Sequence, residues 1–185
     1  MEALLKLRRF VEPAAPKAEK CELCGAEIPA AHSHIVDSEK HKLLCACRPC
    51  YLLFTHAGAA GGKLRSVSER YRKLPRIDLS CEEIPVGIAF FIRDSASNRI
   101  KGFYPSPAGA TESEIVIDAP DLEPDIEALL VNTHEAWIVP ADACYELIGR
   151  IRKTWRGFDG GAEAWREIDS FFANLQEKEN DRSVI

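Results

Sequence analysis

The stretch CELCGAEIPAAHSHIVDSEKHKLLCACRPCYLLFTH, residues 21–56, decides how the first third of this chain folds. It opens with a Cys-x-x-Cys pair at Cys21 and Cys24 and closes with a second pair at Cys47 and Cys50. Twenty-two residues separate the two pairs, which is close to the spacing of four-thiolate zinc sites. Two such turns can present four sulfur atoms to one ion at about 2.3 Å each. The pattern therefore predicts a structural zinc site at these four cysteines.

The residues around the two pairs predict the fold of this finger. Gly25 follows the first pair, where the turn favours a residue that tolerates a positive φ. Residues 32–36 and 42–45 have the composition of two short strands, and residues 51–57 form an apolar helical run. Pro49 suits the first turn of a helix better than a central strand. We therefore expect a treble-clef finger rather than a zinc ribbon, in which a third strand would replace the helix.

Three further residues leave the ligand set open. Cys45 lies two residues before Cys47, so it can replace Cys47 as a ligand, belong to a second site, or pack as a small apolar side chain. His32 and His34 alternate with a serine, so on a strand their side chains share one face. His-x-His is a metal-binding pattern and equally the polar edge of a strand. The sequence does not decide whether Cys45, His32 or His34 joins the metal site.

Four protein ligands leave no coordination position for water or substrate, which favours a structural ion over a catalytic one. A finger of about 40 residues also needs such an ion, because it buries too little apolar surface to fold alone. Iron in a rubredoxin-like site would use the same sulfur atoms, and a redox dithiol beside an unrelated pair is a further alternative. Rubredoxin-type turns carry more glycine and aromatic packing than Arg48-Pro49 provides, so zinc is favoured over iron.

The composition of the whole chain is that of a globular protein, with 185 residues of which 46% are hydrophobic and 29% charged. No run of about 18 apolar residues is present, so we expect no membrane insertion. The first ten residues, MEALLKLRRF, lack the apolar core of a secretory signal. Seven cysteines, five of them in one metal-like cluster, are typical of a reducing compartment. We therefore expect a cytoplasmic protein.

Charge is unevenly distributed along the chain. Residues 1–73 contain thirteen Lys and Arg against eight Asp and Glu, whereas residues 74–185 contain eleven against twenty-one. Residues 63–73 are basic with one aromatic, which suits a nucleic-acid face and equally a solvated connector. The overall pI of about 5.6 argues against a dedicated nucleic-acid-binding protein.

The second part of the chain predicts an α+β body, a small antiparallel sheet with two C-terminal helices. The predicted strands are residues 86–92, 99–104, 114–118, 128–131 and 136–139, and the helices are residues 141–155 and 162–175. We divide the chain into an N-terminal helix and linker (1–19), a zinc finger (20–62), a basic connector (63–80), the α+β body (81–176) and a polar tail (177–185).

Enzyme chemistry is weakly represented in the sequence. It contains no phosphate-binding glycine loop and no G-x-S-x-G motif. His134 and Glu135 could pair with Cys144 as base and nucleophile, but Cys144 lies on the apolar stripe of its helix, which is typical of a buried structural thiol. We assign no catalytic residue.

Two motif blocks resemble an uncharacterised bacterial family. The first block consists of CELCGAEIPAAHSHIVD and LLCACRPCYLLF, and the second consists of WIVPADACYELIGRIRKTWRGFDGG and AWREIDSFF. The resemblance covers roughly residues 20–176. Members tend to be encoded beside nickel–iron hydrogenase structural and maturation genes, so the resemblance implies a setting rather than a mechanism. It also implies that Cys21, Cys24, Cys47 and Cys50 are the metal ligands.

These observations support three hypotheses. The first is a non-enzymatic zinc-binding accessory protein that binds a protein partner, a hydrogenase subunit or maturation factor. The second is a nucleic-acid-binding regulator that uses the basic finger, which requires its Lys and Arg side chains to gather on one face. The third is a rubredoxin-like electron-transfer module with iron at the four thiolates.

Overall fold

The computed structural model describes residues 19–40, 42–56, 58–77, 87–113, 117 and 121–179. The strands are β1 (Glu19–Lys20), β2 (Glu27–Ile28), β3 (Ser33–Asp37), β4 (Lys42–Ala46), β5 (Leu64–Ser66), β6 (Arg72–Leu74), β7 (Ile88–Arg93), β8 (Ile100–Ser106), β9 (Gly109–Ser113), β10 (Glu127–Asn132) and β11 (Ala136–Pro140). The helices are α1 (Arg48–Leu53), α2 (Ala141–Thr154) and α3 (Gly161–Ala173), with a 3₁₀ turn at Ala59–Gly62. Every sheet is antiparallel, so the predicted α+β class is confirmed.

The body is a six-stranded sheet in the order β6-β11-β10-β7-β8-β9. Strand β7 lies inside this sheet. Its consecutive residues Phe90 and Phe91 point to opposite faces of the sheet and are 1% and 0% exposed. Burial of both faces explains why residues 86–92 form a continuous apolar run instead of an alternating one. The strand begins at Ile88, two residues later than predicted.

One face of this sheet carries both long helices. The shared core consists of Ile88, Phe90, Ile92, Ala128, Leu130, Trp137 and Val139 from the sheet with Cys144, Leu147, Ile148, Ile151, Ala164, Ile168 and Phe172 from the helices. The period of 3.6 residues predicted most of these helical contacts. Trp165 differs, because its side chain is 37% exposed at the margin of the core, where its ring lies over Gly87.

Strand β9 was not among the strands predicted from the sequence. Residues 108–111 have the small and polar composition of a loop, yet β9 pairs with β8 along its length. Strand β8 runs past its predicted end at residue 104, and Pro105 lies in the ladder opposite Ala110. Pairing along the edge of an existing sheet supplies the stability that the local sequence lacks. Residues 1–18, which contain the predicted N-terminal helix, and most of the predicted strand at 114–118 lie outside the described residues.

The finger contains a three-stranded sheet in the order β4-β3-β5, followed in chain order by α1 after β4. Its hairpin pairs His34 with Cys45 and Ile35 with Leu44, close to the predicted strand bounds. Residues 63–80, predicted as a basic connector, contain β5 and β6. They therefore add one strand to the finger sheet and one to the body sheet.

Polar and apolar contacts join the finger to the body. The Glu127 carboxylate, 0% exposed, accepts hydrogen bonds from Ser68 Oγ at 2.8 Å and from the Arg70 guanidinium at 2.5 Å. Arg65 reaches Glu123 at 3.0 Å. An apolar cluster beside them contains Val36, Val67 and Ile126. The two sheets are thus held at a buried, hydrogen-bonded interface.

The polar tail predicted at residues 177–185 is described up to residue 179. Lys178 forms a two-way backbone bridge with Tyr71, at 2.7 and 2.8 Å. Its ammonium group also lies 3.3 Å from Glu69. The beginning of this segment therefore packs back on the chain between the finger and the body sheet.

Candidate metal centre

The four cysteines of the two Cys-x-x-Cys pairs lie together in the structure. The Sγ atoms of Cys21, Cys24, Cys47 and Cys50 all lie within 4.8 Å of one another. Cys24 Sγ and Cys47 Sγ are 3.6 Å apart. The first pair lies in the turn between β1 and β2, and the second pair lies at the start of α1.

The first turn is closed by backbone hydrogen bonds. The amide of Gly25 donates to Cys21 O at 2.8 Å, and the amide of Cys21 donates to Ala26 O at 2.8 Å. Gly25 has a φ of 76°, the left-handed conformation that its position in the sequence predicted. A side chain at this position would strain the turn that holds the first two sulfur atoms.

The second turn is built into the start of α1. Cys47 is the N-cap of the helix, and its carbonyl accepts from the Tyr51 amide at 2.9 Å. Pro49 occupies the first turn, where its missing N–H removes no helical hydrogen bond. Cys50 therefore projects from the first turn of the helix. The helix ends at Leu53, four residues before the predicted end.

The donor set and its spacing fit a tetrahedral ion. Zinc bonded to four sulfur atoms at about 2.3 Å places those atoms roughly 3.8 Å apart. The 3.6 Å separation of Cys24 and Cys47 is close to that value. Cys21 and Cys50 are 2% and 9% exposed and pack on Ile28 as part of the finger core. The cluster can therefore accept a metal ion with side-chain shifts of about an ångström.

Two of the thiols differ strongly in acidity. Burial raises the pKa of Cys21, but hydrogen bonds from backbone groups of both turns lower it by more, to about 6. A hydrogen bond with Cys47, together with burial, raises the pKa of Cys50 to about 12. Without metal, these opposite shifts of the pKa favour the thiolate at Cys21 and the protonated thiol at Cys50. A bound ion must displace that proton, so metal affinity rises with pH.

The three residues that the sequence left open form a group of their own. One ligand atom from each of His32, His34 and Cys45 lies within 4.8 Å of the other two. Asp142, on α2 of the body, touches this group through His34. Sequence analysis missed Asp142, and no local signal could have found it, because 108 residues separate it from His34.

The candidate pair of base and nucleophile in the body is engaged in structural contacts. Cys144 is 1% exposed, and burial raises the pKa of its thiol well above the ordinary value. The Glu135 carboxylate accepts from Trp137 Nε1 at 2.9 Å and lies 2.8 Å from Lys73 Nζ. Cys144 is therefore a core thiol, as its place on the helix stripe predicted.

Fold and site together define an α+β protein with a four-cysteine cluster suited to a metal ion. Among the residues that the structure describes, no helix combines the length and the apolar character needed to span a membrane. The chain belongs to the family of unknown function DUF5947, whose model matches residues 20–179. Searches of curated proteins and of solved structures gave no significant match.

Proposed function

We propose that this protein is a non-enzymatic, cytoplasmic accessory protein in which a structural zinc ion holds the finger that binds a protein partner. The observation that carries the proposal is the convergence of Cys21, Cys24, Cys47 and Cys50 within 4.8 Å. Four thiolates fill a tetrahedral coordination shell, so the ion has no position left for a substrate. Its contribution is therefore the folding free energy of the finger.

The order of elements supports a treble-clef finger. A cysteine turn is followed by the β3–β4 hairpin, and the second cysteine pair opens α1. A zinc ribbon would carry a strand where α1 lies. Arg48 and Pro49, which lie between the second pair of cysteines, favour zinc over iron. A ferric four-thiolate site absorbs visible light, whereas a zinc site is colourless, so the two metals are distinguished by the absorption spectrum.

Exposed leucines around the cluster support a protein partner. Leu23 lies inside the first cysteine turn and is 38% exposed, while Leu52 and Leu53 end α1 and are 44% and 67% exposed. A contiguous exposed apolar patch marks a contact surface, whereas isolated exposed leucines are ordinary, so the proposal requires these three side chains to form one patch. The resemblance described above favours a nickel–iron hydrogenase subunit or maturation factor as this partner.

The charge pairs argue against the nucleic-acid-binding alternative. Of the nine Lys and Arg side chains described between residues 19 and 73, seven form ion pairs: Lys40, Lys42, Arg48, Lys63, Arg65, Arg70 and Lys73. Arg65 and Arg70 pair with carboxylates of the body, so the acidic body neutralises them. Phosphate binding would have to break these contacts. The finger aromatics are also occupied, since Tyr51 is 7% exposed and Phe54 packs on the finger core.

Metal analysis of purified protein tests the first part of the proposal. We expect Cys47→Ser to lose the four-thiolate ion and to unfold the finger, because one of four ligands is removed. Replacement of zinc by Co²⁺ makes the site visible, since several thiolates bound to Co²⁺ give intense charge-transfer absorption. A Cys47→Ser protein that retained this absorption in full would show that Cys45 or a histidine completes the site instead.

Binding to a purified partner tests the second part. An affinity pull-down with the full chain identifies the candidate, and isothermal titration then compares wild type with Leu53→Glu. A contact residue at the centre of an interface contributes about 2 kcal/mol or more, so we expect at least about a 30-fold loss of affinity. Phe158→Glu is the comparison on the body, where Phe158 is 93% exposed, and a loss of affinity there instead would place the contact on the body. Equal affinities of Leu53→Glu and wild type would exclude the end of α1 as the contact surface.

A further inference from the structure

We infer that His32, His34 and Cys45 form a second metal site, which binds Zn²⁺ through two imidazole nitrogens and one thiolate and leaves one coordination position open. This inference goes beyond the proposed function, since it concerns different ligands and a different kind of ion binding. The four-thiolate ion stabilises the finger, whereas an ion with an open position exchanges with solvent and accepts an external ligand.

The hairpin places the three side chains on one face. His34 on β3 and Cys45 on β4 are directly opposite each other in the antiparallel ladder. Side chains of such a pair point to the same face with Cβ atoms about 5 Å apart. His32 precedes His34 by two residues, and the centroids of their rings are 4.7 Å apart. Strand register therefore brings His34 and Cys45 together, and His32 joins them from the residue just before β3.

His32 is oriented as a metal ligand would be. Its Nδ1 lies 3.0 Å from the Pro29 carbonyl oxygen, which can only accept, so Nδ1 carries the proton and donates. The neutral ring then has its lone pair on Nε2. That atom is buried and has no hydrogen-bond partner among the described residues, and the side chain is 8% exposed. A buried imidazole nitrogen without a partner is costly unless it binds something.

His34 shows the same arrangement with a carboxylate. Its Nδ1 lies 2.7 Å from Asp142 Oδ2, which leaves Nε2 for a ligand. Metal-bound histidines almost always donate their other ring N–H to a carboxylate or a backbone carbonyl, which fixes the tautomer and the ring orientation. Here one histidine uses a carbonyl and the other uses a carboxylate. In each ring Nδ1 contacts an oxygen acceptor, so Nε2 is the nitrogen left to bind a metal.

The ligands and surroundings favour Zn²⁺. Imidazole and thiolate are the donors that zinc prefers, with bonds of about 2.0–2.1 Å to nitrogen and 2.3 Å to sulfur. Such bonds place the three donor atoms roughly 3.3–3.6 Å apart, so the observed limit of 4.8 Å requires only small side-chain shifts. Carboxylates of Glu19 and Asp142 at the two histidines add negative charge that attracts a cation.

The fourth position has a route to solvent. His32 and His34 line a polar cavity of about 220 Å³ between the finger and the body. Its other walls include Tyr51, Ser68, Tyr71, Asp142 and Lys178. This volume accommodates water or a small anion beside the ion. The two histidines of the group therefore border this cavity, which Cys45 does not line.

Metal stoichiometry tests the inference with Zn²⁺ as the probe. The full chain, already loaded at the four-thiolate site, is dialysed against rising Zn²⁺ and its metal content measured. We expect wild type to bind a second ion that a moderate chelator removes first. Cys45→Ser and His32→Ala should each bind one ion, while His134→Ala, at an exposed histidine outside the cluster, should bind two. Far-ultraviolet circular dichroism checks that each variant is folded.

Co²⁺ and one conservative variant separate ligation from a structural role. In protein loaded with Co²⁺, Cys45→Ser should lose only the weak absorption of a single thiolate and retain that of the four-thiolate site. Asp142→Asn keeps all three ligands but weakens the orientation of His34, so we expect second-site affinity to fall about 10–100-fold. A single ion in wild type at excess Zn²⁺, or a second ion that survives in both Cys45→Ser and His32→Ala, would overturn the inference. Either result leaves the four-thiolate site and the proposed function standing.

Discussion

Substitution of Glu127 tests the contact between finger and body most directly. The Glu127 carboxylate is 0% exposed and accepts hydrogen bonds from Ser68, from the Arg70 guanidinium and, at 3.1 Å, from the Glu123 amide. Glu127→Ala removes all three hydrogen bonds at once. The Arg70 side chain, 19% exposed, then keeps its positive charge at a largely dry interface.

The cost follows from that burial. Removal of one partner from a buried, hydrogen-bonded ion pair destabilises by about 3–5 kcal/mol, because the remaining charge is uncompensated. Because water has partial access to Arg70, we expect a loss of stability at the lower end of this range, about 3 kcal/mol. Glu146 and Arg150 on α2 form an ion pair of similar length, but their side chains are 63% and 50% exposed. An exposed helical pair of this kind contributes only about 0.3–0.5 kcal/mol, so Glu146→Ala is the matched control.

Urea unfolding at saturating zinc measures both costs. We expect Glu127→Ala to lower the midpoint strongly and Glu146→Ala to change it little, with the denaturant dependence of the free energy unchanged. The double variant Glu127→Ala with Arg70→Met should recover part of the loss, because it removes the unpaired charge. The reasoning is refuted if Glu127→Ala and Glu146→Ala agree within about 1 kcal/mol.

Three further outcomes are expected. Ile151→Ala should lower the free energy of unfolding by about 2–5 kcal/mol, because Ile151 is 0% exposed between sheet and helices, whereas exposed Arg152→Ala should have little effect. Chelation of the metal should unfold the finger but leave the tryptophan fluorescence of the folded protein unchanged, since all three tryptophans, Trp137, Trp155 and Trp165, lie in the body. Unfolding of finger and body in one cooperative transition would contradict this expectation. Association with DNA or RNA should be weak and fall steeply between low and physiological salt; sub-micromolar binding at physiological salt that vanished on charge reversal at Lys63 and Arg65 would promote the regulator hypothesis.

Local pattern in the sequence was sufficient for several elements. The spacing of the two cysteine pairs brought Cys21 and Cys50 to one place, because each pair forms its own turn and a short hairpin joins them. The apolar run at 86–92 became the buried strand β7, and the stripe at 141–155 became the core side of α2. Each of these signals depends on neighbours within a few residues, where periodicity and turn chemistry act directly.

Contacts between distant residues were decided only by the tertiary structure. Strands β5, β6 and β9 carry little signal of their own, and each forms because an existing sheet offers it a partner. Arg70 meets Glu127 across 57 residues and His34 meets Asp142 across 108. No period or local spacing encodes such pairs, since they depend on how two sheets pack together. The sequence alone therefore determined that a four-cysteine cluster exists, whereas the packing of finger on body created the buried ion pair and placed Asp142 against His34.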